Sequence, residues 1–232
     1  ALNEFPVPIT GNFDMRYLAL PDEVLITTMQ INQKYFPVKS ASGELLAHFI
    51  TFTNIESKNP ISIQKGNERV VMPRLADAEF FWNQDRKLRL EERTEQLSSI
   101  IFQKKLGNLA DKSQRVEKLA EFIAKSINVD PDFAIRAAKL AKTDLVTNMV
   151  EEFGSLQGLM GRYYAIADGE SAEVAQAIEE QYYPKGAGST TATSSTGQIL
   201  SIAEKIDTLT GIFSAGLIPS GDKDPYALRR AA

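Results

Sequence analysis

The sequence contains no cysteine and a single histidine, His48. Without cysteine there is no disulfide framework and no thiolate metal site, and we expect a reducing, cytoplasmic setting. Histidine is the commonest general base near neutral pH and the commonest metal ligand, so a mechanism that needs two histidines is excluded for this chain alone. His48 alternates with apolar residues on a predicted strand, which is more typical of a packed or edge histidine than of a catalyst.

Long apolar runs and an excess of basic residues are also missing. No apolar run approaches the roughly 20 residues that a membrane-spanning helix needs, so we expect no membrane partner. The formal net charge is −4, which argues against a chain dominated by nucleic-acid binding but leaves room for a local basic face. The 43% of hydrophobic and 24% of charged residues are ordinary globular values, and 232 residues suffice for one large domain or two small ones.

The first part of the chain mixes two kinds of secondary-structure signal. A proline followed by two acidic residues predicts a helix over 21–30. Apolar, β-branched and aromatic residues predict strands over 34–38 and 45–53, and the Ser-Gly turn at 40–43 predicts a hairpin between them. Pro37 suits an edge position, because proline cannot donate to a sheet ladder.

From about Arg74 onward the apolar residues follow a helical period. This pattern predicts helices over 84–106, with Gly107 as C-cap, over 112–127, from Pro131 to about Phe153, and around 174–182 and 199–213. The small polar residues of 185–197 predict a flexible loop. We therefore expect an α+β fold, with a small mixed unit over 1–85 followed by an all-helical domain over 86–232.

The last residues, from Ser220 to Ala232, contain a glycine turn followed by Asp224 and Pro225. This order predicts a helix that is capped by Asp224 and has Pro225 at its first position. The sequence stops about two turns after that predicted start. Since a domain seldom ends on a helix that has just begun, we expect the chain to be a fragment of a longer protein.

Basic residues cluster in two places and could hold phosphates. The first cluster follows three aromatic residues that could stack on bases, and it consists of Arg86, Lys87, Arg89 and Arg93. The second surrounds Gly107 and consists of Lys104, Lys105, Lys112, Arg115 and Lys118. Acidic residues interleave with both clusters, so a solvated helix face with i,i+4 ion pairs is the alternative, and the pattern alone favours it.

Two aspartates, Asp144 and Asp207, stand among helical apolar residues. A carboxylate in such a stretch is unfavourable unless it is paired, capping or coordinating. One interpretation is a metal site of the His-Asp phosphohydrolase type, and the other is a pair of structural, hydrogen-bonding carboxylates. Because no histidine follows position 48, the structural interpretation is strongly favoured and we predict no bound metal.

Several runs in one order carry a closer resemblance. They are QKYFPV (33–38), NIES (54–57), GNERVV (66–71), RLADAEFF (74–81), DRK (85–87), DLVTNMVEEF (144–153), QGLMG (157–161) and KDPYALRR (223–230). Together they closely resemble the β subunit of bacterial, two-subunit glycyl-tRNA synthetase, and the likeness covers nearly the whole chain. The chain is similar to the middle of that subunit, without its N-terminal region and its C-terminal tRNA-binding portions.

The resemblance implies a function that belongs to a larger assembly. In that family the α subunit activates glycine with ATP and magnesium, and the β subunit supports tRNA recognition in an α2β2 tetramer. The implied partners are therefore the α subunit and the acceptor arm of glycine tRNA. We expect this chain alone to be non-catalytic and to have no cofactor of its own.

The resemblance also implies a history for each part of the chain. The first unit would resemble a module of the phenylalanyl-tRNA synthetase β subunit, and the second a His-Asp phosphohydrolase that has lost its metal ligands. Lys142 and Asp144 would stand where the His-Asp pair does, and Asp207 would match the distal aspartate. The basic residues expected nearest to tRNA are Arg86, Lys87, Arg89, Lys112 and Arg115. A surviving phosphohydrolase and an interaction scaffold without RNA contact remain the alternatives.

Overall fold

A computed structural model describes residues 6–220 and 223–232 of the chain. The chain divides into two compact units, Ala1–Asp85 and Arg86–Ala232. The first combines a small antiparallel sheet with helices and the second is mainly helical, which confirms the predicted α+β class. In the described residues, no helix combines the length and apolar character needed to span a membrane.

The first unit is built around a three-stranded antiparallel sheet. Its strands are β1 (Val7–Asn12), β2 (Phe36–Lys39) and β3 (Leu45–Thr53), in the order β1-β3-β2. β3 pairs with both neighbours, so the predicted hairpin and the edge position of Pro37 on β2 are confirmed. The ring of Phe49, fully buried on β3, stacks on Tyr35 at 4.6 Å between centroids.

Helices α1 (Asp22–Gln33) and α2 (Pro60–Asp85) complete the first unit. The prediction of α1 is confirmed. The expectation that helical structure resumes only near Arg74 is wrong, because α2 begins at Pro60 and includes Gly66 and Pro73. Those two residues weaken the local helix signal, whereas Val71 and Leu75 are both fully buried and give the helix its packing face.

The second unit opens with irregular structure instead of the predicted helix over 84–106. A 3-10 helix spans Leu90–Ser99, and strands β4 (Ile101–Gln103) and β5 (Gly107–Asn108) form a short hairpin. Gly107 has a φ of +84° and lies in that hairpin, not at a helix C-terminus. Both situations favour glycine for its positive φ, so the sequence signal was the same.

The remaining helices of the second unit pack around one core. Helix α3 contacts α4 and α8, while α7 contacts α6 and α8. The helices are α3 (Leu109–Ser126), α4 (Asp132–Leu140), α5 (Asn148–Glu152), α6 (Leu159–Ala167), α7 (Ala172–Glu180), α8 (Ser195–Ser214) and α9 (Leu228–Ala231).

Three boundaries in this unit differ from the sequence prediction. Helix α4 ends at Leu140, and a 3-10 turn over Thr143–Val146 separates it from α5. Residues 195–197, predicted to be loop, form the first turn of α8. At the C-terminus α9 begins at Leu228, where the Asp224 carboxylate accepts hydrogen bonds from the amides of residues 228 and 229. The predicted glycine turn at residue 221 lies outside the described residues.

Candidate functional site

Asp207 is buried on α8 and is held by two cations from α3. Arg115 donates from Nε to Asp207 Oδ1 at 2.6 Å, and Lys112 donates from Nζ to Oδ2 at 3.0 Å. The two cations stand three residues apart on α3, which places them on the same helix face. Burial favours the neutral carboxyl, but the hydrogen bond from Arg115 and the charge of Lys112 outweigh it and lower the pKa of Asp207.

Lys112 is enclosed, with only 2% of its surface exposed. Its ammonium also donates to Thr208 Oγ1 at 2.8 Å and lies 4.4 Å from the centroid of the Phe102 ring. The tRNA contact at Lys112 stays a prediction; in the structure, the charge and the donors of Lys112 are used inside the chain. Periodicity indicated a helix here but not that this lysine faces inward.

Glu204 links Lys112 to a second buried lysine, Lys142. Its Oε1 atom lies 3.3 Å from Lys112 Nζ and 3.2 Å from Lys142 Nζ. The Lys142 ammonium also sits 4.3 Å from the centroid of the Tyr182 ring. Arg115, Asp207, Lys112, Glu204 and Lys142 therefore form a continuous series of ion pairs, which we call the buried charge chain.

A metal centre needs carboxylates that are free to bind the ion, whereas the carboxylates of the buried charge chain face lysine and arginine side chains. Both carboxylates, Asp207 and Glu204, are already neutralised by side chains of this protein. Within the described part of the chain, no group of three or more His, Cys, Asp or Glu residues is arranged to hold a metal ion. The arrangement can balance charge and connect α3, α8 and the segment after α4, but it presents no open ligand set.

Asp144 is fully buried and accepts hydrogen bonds from backbone amides of a neighbouring helix. Its Oδ2 atom accepts hydrogen bonds from the amides of Gly158, at 2.5 Å, and Gly161, at 3.1 Å, at the start of α6. Burial raises the pKa of Asp144 to about 6, although these hydrogen bonds and the charge of Lys142 act in the opposite direction. A Cβ on Gly161 would come within 2.6 Å of Ile178 Cγ2, so the close approach needs glycine.

The two predicted aspartates thus have separate partners. Asp144 caps α6 and Asp207 binds cations from α3, which is what the structural interpretation of these carboxylates expects. Sequence reasoning missed Glu204 and Tyr182 as members of the same region. Glu204 lies three residues before Asp207 on one helix, and that spacing was the available signal.

Of the other predicted tRNA contacts, three are exposed at the start of the second unit. Arg86, Lys87 and Arg89 are all exposed, and Arg89 donates from Nη2 to the carbonyl oxygen of Asp168 at 3.0 Å. Arg115 is partly exposed, with 37% of its side-chain surface accessible, but three of its nitrogens are engaged by Asp207 and by the Leu106 carbonyl. Arg86, Lys87 and Arg89 are therefore within reach of an anion from solvent.

The chain therefore has an α+β fold. In its second unit, the carboxylates of Asp207 and Glu204 on α8 are paired with cations of the same chain. Comparison with known proteins then places the chain in a family. The model of the family described as "Glycyl-tRNA synthetase beta subunit" matches residues 1–232. The chain belongs to this family.

Individual relatives agree along the full chain. The "Glycine--tRNA ligase beta subunit" of Pseudomonas fluorescens is 54% identical over 232 residues, which is 100% of this chain and 34% of that protein. The proteins of the same name from Marinobacter nauticus and Azotobacter vinelandii are 55% and 52% identical over the same shares. The chain therefore spans about a third of the length of the curated relatives it matches.

Proposed function

We propose that the chain acts as part of the β subunit of a glycine–tRNA ligase. In this proposal it supports binding of the tRNA acceptor arm and assembly with the catalytic α subunit, which uses ATP and magnesium to attach glycine. The carrying observation is that the family match and the identity of about half of the residues extend over every part of the chain. The complete assembly would be an α2β2 tetramer in the cytoplasm.

The chemistry of the helical unit supports a non-catalytic role for this chain. Hydrolysis by a metal-dependent phosphohydrolase needs carboxylates that are open to a cation. Here Asp207 is held by Arg115 and Lys112, and Glu204 lies between two ammonium groups. Elemental analysis after dialysis against manganese or zinc should find no stoichiometric ion, and a stoichiometric ion would favour the phosphohydrolase alternative.

The proposed RNA contact uses the exposed surface formed by Arg86, Lys87 and Arg89. Phosphate contacts of this kind position an RNA without reading its sequence. Affinity should therefore fall with salt, while cognate and non-cognate tRNA bind to similar extents. The sequence pI of about 5.3 adds long-range repulsion, so affinity for tRNA should be weak at physiological salt.

The test is a titration of glycine tRNA and a non-cognate tRNA across a salt series. The double variant Arg86→Ala/Lys87→Ala should weaken binding of both tRNAs and reduce the slope of log K against log salt by about 1 for each lost phosphate contact. The matched control is Lys125→Ala, because Lys125 is exposed and, within residues 6–220 and 223–232, pairs only with Glu121 on its own helix. An unchanged slope in the double variant would contradict this surface.

Assembly with the α subunit is tested separately. Co-purification of the chain with an α subunit, followed by the same tRNA titration, separates the two parts of the proposal. A chain that binds the α subunit but no tRNA at low salt would be a scaffold, and the exposed arginines would then be ordinary solvated surface.

A further inference from the structure

Helix α8 is apolar on two sides. Its inner side is buried where the helix contacts α3, α4 and α7, and the buried apolar residues are Ile199, Leu200, Ala203 and Ile212. Its outer side carries Ile202, Ile206 and Phe213, whose exposed fractions are 47%, 39% and 48%. A surface helix carries polar side chains opposite its buried face, and a helix that is apolar all round is a buried one. The outer side of α8 therefore has the composition of a surface that is covered.

The outer side also has the residue spacing of a helix-packing seam. Together with the half-buried Leu209, its apolar residues follow one another in steps of four, three and four, as the a and d positions of a coiled coil do. We call Ile202, Ile206, Leu209 and Phe213 the outer seam. No residue from 208 to 220 carries a charged side chain. Spacing and composition together predict a second helix as the partner of the outer seam.

A recess lies beside the first residue of the outer seam. It has a volume of about 350 Å³, and Ile202 lines it together with Pro184 and Ala192 of the loop that precedes α8. Lys205 lines it as well, but its ammonium donates to the carbonyl oxygen of Tyr183 at 2.7 Å. The recess can therefore take an apolar side chain of a partner helix, as in helix-in-groove recognition.

The charge and the size of the outer seam narrow the choice of partner. An RNA backbone is bound by cations, so an uncharged seam favours a protein. From Ile202 to Phe213 the helix rises about 17 Å, and a helix is about 10 Å wide, which gives a strip of about 170 Å². Even when doubled for side-chain relief, this area is far below the roughly 800 Å² per partner that stable complexes of free proteins bury. A second copy of the chain is therefore disfavoured.

A partner in the same polypeptide needs less contact area. A covalent connection holds two segments at an effective concentration in the millimolar range, so a small interface is enough to keep them together. This chain covers 34% of the Pseudomonas fluorescens relative, so most of that protein lies outside the match. The longer polypeptide therefore has ample length for a helix that covers the outer seam.

We propose that the outer seam of α8 binds an amphipathic helix from the part of the β subunit that lies outside this chain. Apolar side chains of that helix pack between Ile206 and Phe213, and one of them enters the recess beside Ile202. The inference rests on the proposed function and deepens it, because it assigns this part of the β subunit an internal partner.

The test uses the absence of cysteine, since a single introduced thiol reports the accessibility of its own position. Ile206→Cys and Phe213→Cys place the thiol on the outer seam. The matched control is Phe122→Cys on α3, because Phe122 is 69% exposed and lies on a different helix. Each variant is labelled with a maleimide in the isolated chain and in a chimera, the Pseudomonas fluorescens β subunit with this chain in place of the matching 232 residues. Mass spectrometry of the labelled peptide gives the rate at the introduced position.

Relative to Phe122→Cys, both seam variants should be labelled at least about tenfold more slowly in the chimera than in the isolated chain, because a docked helix excludes the reagent. Adding Ile206→Glu to Phe213→Cys should restore fast labelling in the chimera, since a carboxylate without a partner cannot be buried in an apolar interface. Ile206→Glu should leave the urea unfolding of the isolated chain nearly unchanged, because the side chain is exposed there.

Three results would overturn the proposal. The first is an equal relative labelling rate in the chimera and the isolated chain, and the second is protection that survives Ile206→Glu. The third is protection with another cause: a rise with the concentration of the isolated chain identifies a second copy, and a need for added α subunit identifies that subunit.

Failure of this inference differs from failure of the proposed function. A chimera that binds the α subunit and tRNA but leaves Phe213→Cys accessible removes this inference alone. A chimera that protects Phe213→Cys but binds neither the α subunit nor tRNA supports the internal contact and removes the proposed function.

Discussion

Replacing Glu180 by glutamine tests how the polar loop before α8 is held. Glu180 is 4% exposed, and its carboxylate accepts hydrogen bonds from the amide and the hydroxyl of both Thr193 and Ser194 at 2.6–3.2 Å. Gln176 adds a fifth at 2.8 Å. Ser194 in turn accepts from the amide of Gly197 and caps α8, so one carboxylate organises both the loop and the helix start.

The expected loss of stability in Glu180→Gln follows from the pKa shift of the Glu180 carboxylate. Burial acts to raise the pKa of Glu180, but the hydrogen bonds from Ser194 and Thr193 outweigh it and lower the pKa from 4.5 to about 2. That difference corresponds to about 3 kcal/mol of stability. Since the folded pKa is the lower one, this stability is present above about pH 4.5 and is lost as the pH falls through about 2.

The assay is urea unfolding of the wild-type chain and Glu180→Gln at several pH values from 7 to 2. At pH 7 the variant should lose about 3 kcal/mol, because an amide cannot accept the same five hydrogen bonds. The gap between the two proteins should close as the pH falls from about 4.5 to about 2, since the wild-type carboxylate becomes neutral there.

The control is Glu173→Gln on the same helix, where the carboxylate accepts one hydrogen bond from Thr196. This change should cost only about 1 kcal/mol at pH 7. A loss below about 1 kcal/mol in Glu180→Gln would refute the reasoning. So would a gap that stays constant over the whole pH range, because it would show that the charge of Glu180 does not stabilise the fold.

Two further predictions concern the buried charges. Lys112→Met and Lys142→Met should each destabilise the chain, and together they should cost about 0.5–3 kcal/mol more than their sum, because Glu204 then loses both cations. Strictly additive losses in a urea double-mutant cycle would contradict the shared contact. Asp144→Asn should remove the loss of stability that the wild type shows as the pH rises from about 4 to about 6, since burial raises the pKa of this group to about 6. Thermal melts by circular dichroism at these pH values measure the difference, and parallel profiles would contradict it.

The sequence predicted those elements whose signal is local. Helix α1 follows a proline and two acidic residues, and β2 and β3 read as apolar strands around a Ser-Gly turn. Helix α8 has a regular apolar period from Ile199 to Phe213, although one side of that pattern, including Ile202 and Phe213, is exposed. Local patterns specify the element, but they do not say which residues the neighbouring elements will cover.

Elements with ambiguous local signals were decided by packing. Helix α2 forms across Gly66 and Pro73, where propensity alone argues for a break, because its buried face is covered by the rest of the first unit. Gly107 has the positive φ that its sequence context suggests, but a hairpin takes the place of a helix end. In both cases the residue type indicated the local backbone preference but not which secondary-structure element would form.

By itself, the sequence determined the α+β class and family membership, and it singled out Asp144 and Asp207 as buried carboxylates that need partners. Only the tertiary structure decided what those partners are. Lys112 meets Asp207 across 95 positions of chain, and Gly158 donates to Asp144 from the start of another helix. A lysine reads as solvated in any local window, because the carboxylate that compensates its burial comes from a distant helix and is brought near only when the core forms.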